Sequence, residues 1–288
     1  MPATISLRSC PLQGRLLVLR MRNGRPGPGL HVPRPGTGTG GAALTTHGDY
    51  ELSAFNTGRV LTIRWSLPPV AAHRAIRASD PACSENNFNT EGPFWANDVK
   101  PTDIWYYNQS TASRAGLGVS ATTSDIRQAN TNLTTGINNC GYAQNQFDVQ
   151  GAYQGNTSKY ANINSAAQCT GNFPDGQDTV SWGTFDSNHS GTLAYTCYHW
   201  HTNANGYPVM DEADTYIGSN RSIVDSYPAN CSNKYDLQTV MTHEWGHAYG
   251  LAHETGGPDE VMYPYETPCV LRRHLGSGDY SGMDSLYP

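Results

Sequence analysis

Charge is scarce in this chain. Asp, Glu, Lys and Arg make up 15% of its 288 residues, against roughly 25% in an average globular domain. Asn, Ser, Thr, Gly and Tyr fill the gap, a polar but weakly charged surface that suits a secreted protein better than a cytosolic one. No apolar run approaches about 18 residues, so no membrane-spanning helix is expected. No internal repeat is visible. No C-x-x-C pair occurs among the seven cysteines.

The charge that is present is unevenly placed. Residues 1–78 hold ten Arg, no Lys, and only Asp49 and Glu51 as acids, a net of +8. Residues 79–288 carry −14, which gives the chain its net −6. The basic head contains RNGRPGPGLHVPRPGTGTGG, a Pro/Gly-rich run whose composition predicts disorder. It reads as a propeptide, a leader or a misassigned start, with the boundary near residue 79. Its arginines lack the interleaved aromatics of a nucleic-acid surface, so no nucleic-acid partner is expected. GRLLVLRMR is broken by arginines and VLTIRWSLPPVAA by Arg64 and two prolines, so neither makes a clear secretory signal.

The cysteines speak for export. Cys10 lies in the head; Cys83, Cys140, Cys169, Cys197, Cys231 and Cys269 lie in the body. Six widely spaced cysteines predict three disulfides in an oxidising compartment, with fifteen pairings open.

Periodicity predicts a helix over 123–139, capped by Ser124 or Asp125, with Ile126, Ala129, Leu133 and Ile137 on one face. Strand-like runs follow at 146–153, 178–185, 191–200 and 209–217, separated by Gly, Asn and Asp clusters. A second helix is expected over 236–250 with Asp236 as N-cap, and a last helical turn in GDYSGMDSLYP. This order predicts an α/β (α+β) body, with a twisted sheet backing one long helix.

That second helix carries the chemistry. In THEWGHAYGLAHETGGPDEVMYP, His243 and His247 are four residues apart, which on a helix puts them about 5–6 Å from each other on one face. Two imidazoles so placed can share one ion at a Zn–N distance of about 2.0–2.1 Å. Glu244, beside His243, is aimed at water near the metal rather than at the metal. Gly250 suits a helix stop with positive φ, after which His253 returns as a third ligand. Three protein ligands leave a position open, as in catalytic rather than structural zinc sites. A lone histidine would be read as an ordinary packed side chain. The whole H-E-x-x-H-x-x-G-x-x-H pattern arises by chance about 3 times in 100,000 at this chain's own frequencies, so the set is read as a site.

HEWGHAYGLAH followed by VMYP resembles the metzincin zinc peptidases, and among them the matrixins. The resemblance implies His243, His247 and His253 as zinc ligands, Glu244 as general base, and Met262 as the methionine of the turn beneath the metal. It also implies a twisted, mostly parallel sheet with an antiparallel edge strand, a long active-site helix, and a small C-terminal subdomain with the Met-turn and a terminal helix. GTLAY (191–195) looks like the edge strand that pairs with extended substrate, which points to Leu193 and Ala194. DEADTYI (211–217) is similar to the strand after it.

The sequence also departs from the matrixin pattern. LRSCPLQ around Cys10 does not match the thiol switch of matrixin propeptides. Tyr195 stands where many matrixins have a histidine for a second, structural zinc. His199 and His201 alternate along a strand, where an exposed pair is the ordinary reading. Glu266 stands where a pocket tyrosine is common. Calcium is frequent in such peptidases; Asp175 and Asp178 of PDGQD are candidates, but a turn before a strand explains them equally.

Together these features predict a secreted, monomeric zinc endopeptidase. It would act on extended protein or peptide substrates through a zinc-activated water with Glu244 as base, and Tyr263 or Tyr265 would help hold the oxyanion. The competing expectation is a secreted binding or adhesion module that keeps the zinc without turnover.

Overall fold

A computed structural model describes residues 2–7, 12–21, 24–67, 82–96 and 101–288. The expected boundary at 79 and Cys10 lie outside these residues. Six strands come first: β1 (Pro2–Ser6), β2 (Leu16–Arg20), β3 (Pro26–His31), β4 (Thr37–Thr45), β5 (Tyr50–Asn56) and β6 (Val60–Ser66). Short β7 (Asn89–Thr90) and β8 (Thr102–Tyr107) lead to helix α1 (Val119–Thr134). Then come β9 (Gln150–Asn156), β10 (Asp178–Gly183), β11 (Thr192–Thr202) and β12 (Pro208–Gly218). The chain finishes with β13 (Ile223–Val224), β14 (Tyr235–Asp236), helix α2 (Leu237–Ala248), β15 (Leu251–Ala252) and helix α3 (Ser277–Leu286).

The main sheet has nine strands in the order β1-β6-β5-β4-β11-β12-β10-β8-β9. Within the body, β9, β8, β10 and β12 run parallel and β11 runs antiparallel to β12. Every residue of β10, DTVSWG, is buried, as befits a central parallel strand covered on both faces. Helices α1 and α2 cover one face. There Trp105 and Trp245 rings meet at 4.8 Å, and Trp245 Nε1 donates to the Ile126 carbonyl at 3.2 Å.

α1 begins before Ser124 and Asp125, with Gly118 as N-cap. The hydroxyls of Thr122 and Thr123 donate back to the carbonyls of Gly118 and Val119 inside the first turn. The helix ends before Ile137, and Gly136 follows it at φ +69°. Ile126, Ala129 and Leu133 form the buried face, as their spacing predicts.

Strands β4, β5, β6 and β1 belong to the described part of the head, whose composition alone points to disorder. Composition hid two things. YELSAFN alternates strictly in burial along β5, a half-buried strand pattern. The glycines of β4 lie against aromatic rings of β11. A Cβ added at Gly38 would sit 2.1 Å from the Trp200 ring, at Gly40 2.2 Å from Tyr198, and at Gly41 2.0 Å from the Tyr195 hydroxyl. Only glycine allows that approach, so the run that reads as low complexity is what seats the strand. Leu30, Val32, Leu52 and Leu61 then form a second core with Tyr195 and Cys197.

The six body cysteines pair as Cys83–Cys140, Cys169–Cys197 and Cys231–Cys269. The first closes a sequence separation of 57. A loop of that size loses unfolded-state entropy worth roughly 4 kcal/mol when cross-linked.

The two calcium candidates have separate partners. Asp175 pairs with Lys159 at 3.2 Å, and Asp178 accepts from the Ala213 amide at 3.0 Å. Neither joins a group of three metal-capable side chains among the described residues. The turn they share is held by Glu212, which accepts from the amides of Asp175 and Gly176. Burial pushes the Glu212 carboxyl up to about 7. Between its ordinary value and that one, the folded chain binds more protons than the unfolded chain, so this group's contribution to stability falls as pH rises. Glu212→Gln should therefore lose less melting temperature than the native chain between about pH 5 and about pH 8. Equal losses in thermal melts would refute this.

Candidate metal centre

All twelve residues of α2 are buried. Asp236 caps its N-terminus as expected, accepting from the Thr239 amide at 2.8 Å and hydroxyl at 2.9 Å. After the helix, Gly250 adopts φ +93° and turns the chain into β15, so that His253 comes back beneath the helix.

The three histidines converge. His243 Nε2 lies 3.1 Å from both His247 Nε2 and His253 Nε2, and the latter two are 3.0 Å apart. Each outer nitrogen has its own acceptor. His243 Nδ1 faces the Val261 carbonyl at 2.7 Å, His247 Nδ1 the Leu251 carbonyl at 3.0 Å, and His253 Nδ1 the Glu51 carboxylate at 2.8 Å. If each Nδ1 donates, each Nε2 presents a lone pair to the centre. Burial disfavours the charged form of all three imidazoles and takes His247 to about 4. Three bare acceptors this close repel one another unless a cation lies between them. A tetrahedral zinc ion sets its nitrogen ligands about 3.3–3.4 Å apart, close to the observed triangle, so these residues fit zinc.

Glu244 adjoins the cluster. Its Oε2 accepts from the Thr196 hydroxyl at 2.5 Å, while Oε1 is buried with no hydrogen-bond partner among the described residues. Burial pushes its carboxyl up to about 8, against the pull of Thr196 and of the Leu44 backbone N–H. Met262 lies beneath the helix: a Cβ at Gly246 would be 2.2 Å from its Sδ. Asp279 of α3 holds this turn, accepting from the amides of Val261 at 2.7 Å and Met262 at 3.0 Å.

Tyr263 and Tyr265 are half-buried, with ring centroids 5.6 Å apart. The Arg272 guanidinium lies 5.8 Å over the Tyr263 ring and binds Glu266 at 2.7 Å. Glu266 is thus paired and buried. His199 and His201 both bind Asp211, at 3.0 and 2.6 Å.

Leu193 and Ala194 are buried on β11, but β11 is not an edge. Ala194 pairs with Ile217 of β12 on one side and with Leu44 of β4 on the other. The anticipated edge is covered because the head supplies a strand to it.

Four carboxylates and one hydroxyl near the site escaped the motif: Asp49, Glu51, Glu91, Asp279 and Thr196. Asp49 Oδ2 lies 3.3 Å from His253 Nε2 and 3.7 Å from His243 Nε2. Glu51 accepts from the His253 amide at 2.6 Å; burial opposes its charge, but the His253 donors hold its carboxyl below the usual carboxylate range. Glu91 accepts from the Tyr198 hydroxyl at 2.6 Å and lies 3.6 Å from His247 Nδ1. A signal for two of them existed in the sequence: Asp49 and Glu51 are the only acids in a basic head.

Residues 160–288 match the family model of the matrixins. This part of the chain is matrixin-like. Similar proteins include human matrix metalloproteinase-20, 44% identical over 59 residues, which are 19% of this chain and 12% of that protein. Metalloendoproteinases 4-MMP and 1-MMP of Arabidopsis thaliana are each 34% identical over 97 residues, covering 34% of this chain and 25% and 24% of theirs. The chain therefore matches a quarter or less of the length of these relatives. The matrixin-like part includes β10, β11, β12, α2, the three histidines, Met262 and α3; the four head strands of the main sheet lie outside it. The three disulfides fit an oxidising compartment, and among the described residues no helix is long and apolar enough to cross a membrane.

Proposed function

We propose that the chain is a secreted zinc endopeptidase acting on extended protein or peptide segments. The convergence of the three Nε2 atoms, with Glu244 and its buried Oε1 on the same helix, carries this reading. His243, His247 and His253 hold the metal. Bound zinc supplies Lewis-acid chemistry, polarising a carbonyl and acidifying water. Glu244 takes a proton at Oε1 from the attacking water and hands it to the leaving amine. Thr196 holds the other oxygen and fixes the carboxylate's direction. Met262 packs under Gly246 and sets the floor of the site without ligating. Substrate pairs along β11 near Leu193 and Ala194 when that side of the strand is free.

The test is cleavage of casein by the purified chain, intact and after limited proteolysis of its head. Cleavage that a chelator stops and zinc restores is the expected result. Zinc-loaded protein that cleaves in neither form would overturn the proposal.

Tyr263 or Tyr265 steadies the oxyanion, Tyr265 being the one whose hydroxyl is lifted by burial and by the neighbouring Tyr263 and Asp49. Tyr265→Phe is expected to lower kcat by about tenfold with KM little changed, the size of one lost hydrogen bond to a charged group. Unchanged kcat removes Tyr265 from this role.

A further inference from the structure

We infer that the head carries a fourth metal ligand, Asp49, and that residues 37–56 are a built-in occluding hairpin over the zinc site. This rests on the zinc-peptidase reading above. Three observations meet at Asp49. Its Oδ2 faces two of the three imidazoles, 3.3 Å from His253 Nε2 and 3.7 Å from His243 Nε2. That oxygen is buried and has no hydrogen-bond partner among the described residues, whereas Oδ1 is satisfied by the Thr45 amide. A buried carboxylate oxygen left without a partner is costly, and a cation held by the histidines would supply one.

The backbone holds the residue there. The Asp49 amide donates to the Pro264 carbonyl at 2.9 Å, just past Met262, and the Thr46 amide donates to the Gly191 carbonyl at 3.0 Å. The β4–β5 turn is thus fastened to both walls of the site. Two residues on, Glu51 binds the His253 amide and Nδ1, so the same hairpin also orients one of the ligands.

The strand before the turn completes the occlusion. β4 pairs antiparallel with β11 from Thr37↔His201 to Thr45↔Thr192, including Leu44↔Ala194. An extended substrate on β11 would use those same backbone groups, so it cannot bind while β4 is in place. The glycines of β4 fit under Trp200, Tyr198 and Tyr195, which makes the seat specific to this segment.

The test uses the full chain loaded with Co²⁺, read by visible absorption and by titration with acetohydroxamate, a small chelating probe. Native chain is compared with Asp49→Asn, Gly40→Val and His247→Ala. Asp49→Asn keeps the shape and removes the anionic ligand. Gly40→Val drives a side chain into Tyr198 and lifts the strand without touching the metal ligands. Both should shift the cobalt spectrum and bind acetohydroxamate at least about tenfold more tightly, because the native site is open only a small fraction of the time. Gly40→Val should also raise casein cleavage. If Co²⁺ binds one to one and depends on His247, yet both variants match the native chain in spectrum and probe affinity, the inference is wrong and the zinc reading stands. If His247→Ala leaves Co²⁺ binding intact, the zinc reading itself falls, and the inference with it.

Discussion

Glu244→Gln is expected to keep the metal and lower peptide cleavage by about 10²–10⁴-fold, the usual contribution of a positioned general base. The substitution is nearly isosteric, and its amide oxygen can still accept from the Thr196 hydroxyl that holds Oε2 at 2.5 Å. Neither ring nitrogen of the three histidines bonds to Glu244, so the triad and its outer acceptors stay as they are. What is lost is the carboxylate oxygen on α2 that has no partner among the described residues. A buried, unpaired carboxylate is costly, so burial lifts its carboxyl to about 8. That cost is understandable if the oxygen has a proton to receive during turnover. The measurement is kcat/KM on casein peptides, made in a Gly40→Val background, with zinc content determined in each sample. Full zinc with cleavage within about threefold of the parent would remove Glu244 from the proton-transfer role.

The body was far more legible than the head, and the reason is physical. The motif of α2 writes its geometry locally: a four-residue step, a glycine at the turn and a third histidine need only helix periodicity to be placed. β10, β11 and β12 announce themselves by β-branched and aromatic runs bounded by turn residues. β8 was not anticipated, although TDIWYY is as long as the DTVSWG of β10; its neighbours in the sheet are distant in sequence. The head is harder to read for a different reason. Its Pro and Gly content reads as disorder when taken alone, but Gly38, Gly40 and Gly41 are explained by the rings of Trp200, Tyr198 and Tyr195, about 160 residues later in the chain, and strand pairing of such range leaves no local trace. Asp49 and Glu51 show the same limit. Their chemistry was visible, their position over His253 was not.

Gly250→Ala is expected to destabilise the fold and weaken zinc binding together. At φ +93°, an L-residue with a Cβ is strained by about 1–2 kcal/mol. The added Cβ would also stand 2.4 Å from the Pro93 carbonyl oxygen. That oxygen cannot easily retreat, because the segment before it is tied down: the Glu91 amide donates to the Gly250 carbonyl at 2.8 Å, and β7 pairs with β15 through Leu251↔Thr90 and Ala252↔Asn89. Relief must come from moving residues 250–253, which carries His253 away from the other two histidines and Leu251 away from His247 Nδ1. A loss of about 2–4 kcal/mol in urea denaturation is expected, within the range of steric and backbone-strain substitutions. Zinc affinity should fall at least tenfold, about 1.4 kcal/mol. Trp245→Ala, a core truncation on the opposite face of α2, provides the contrast: it should cost about 3–5 kcal/mol in stability while the folded fraction keeps its zinc affinity. Should Gly250→Ala lose stability but bind zinc as tightly as the native chain, the turn would be a packing device alone, and the claim that its left-handed glycine delivers the third ligand would fail.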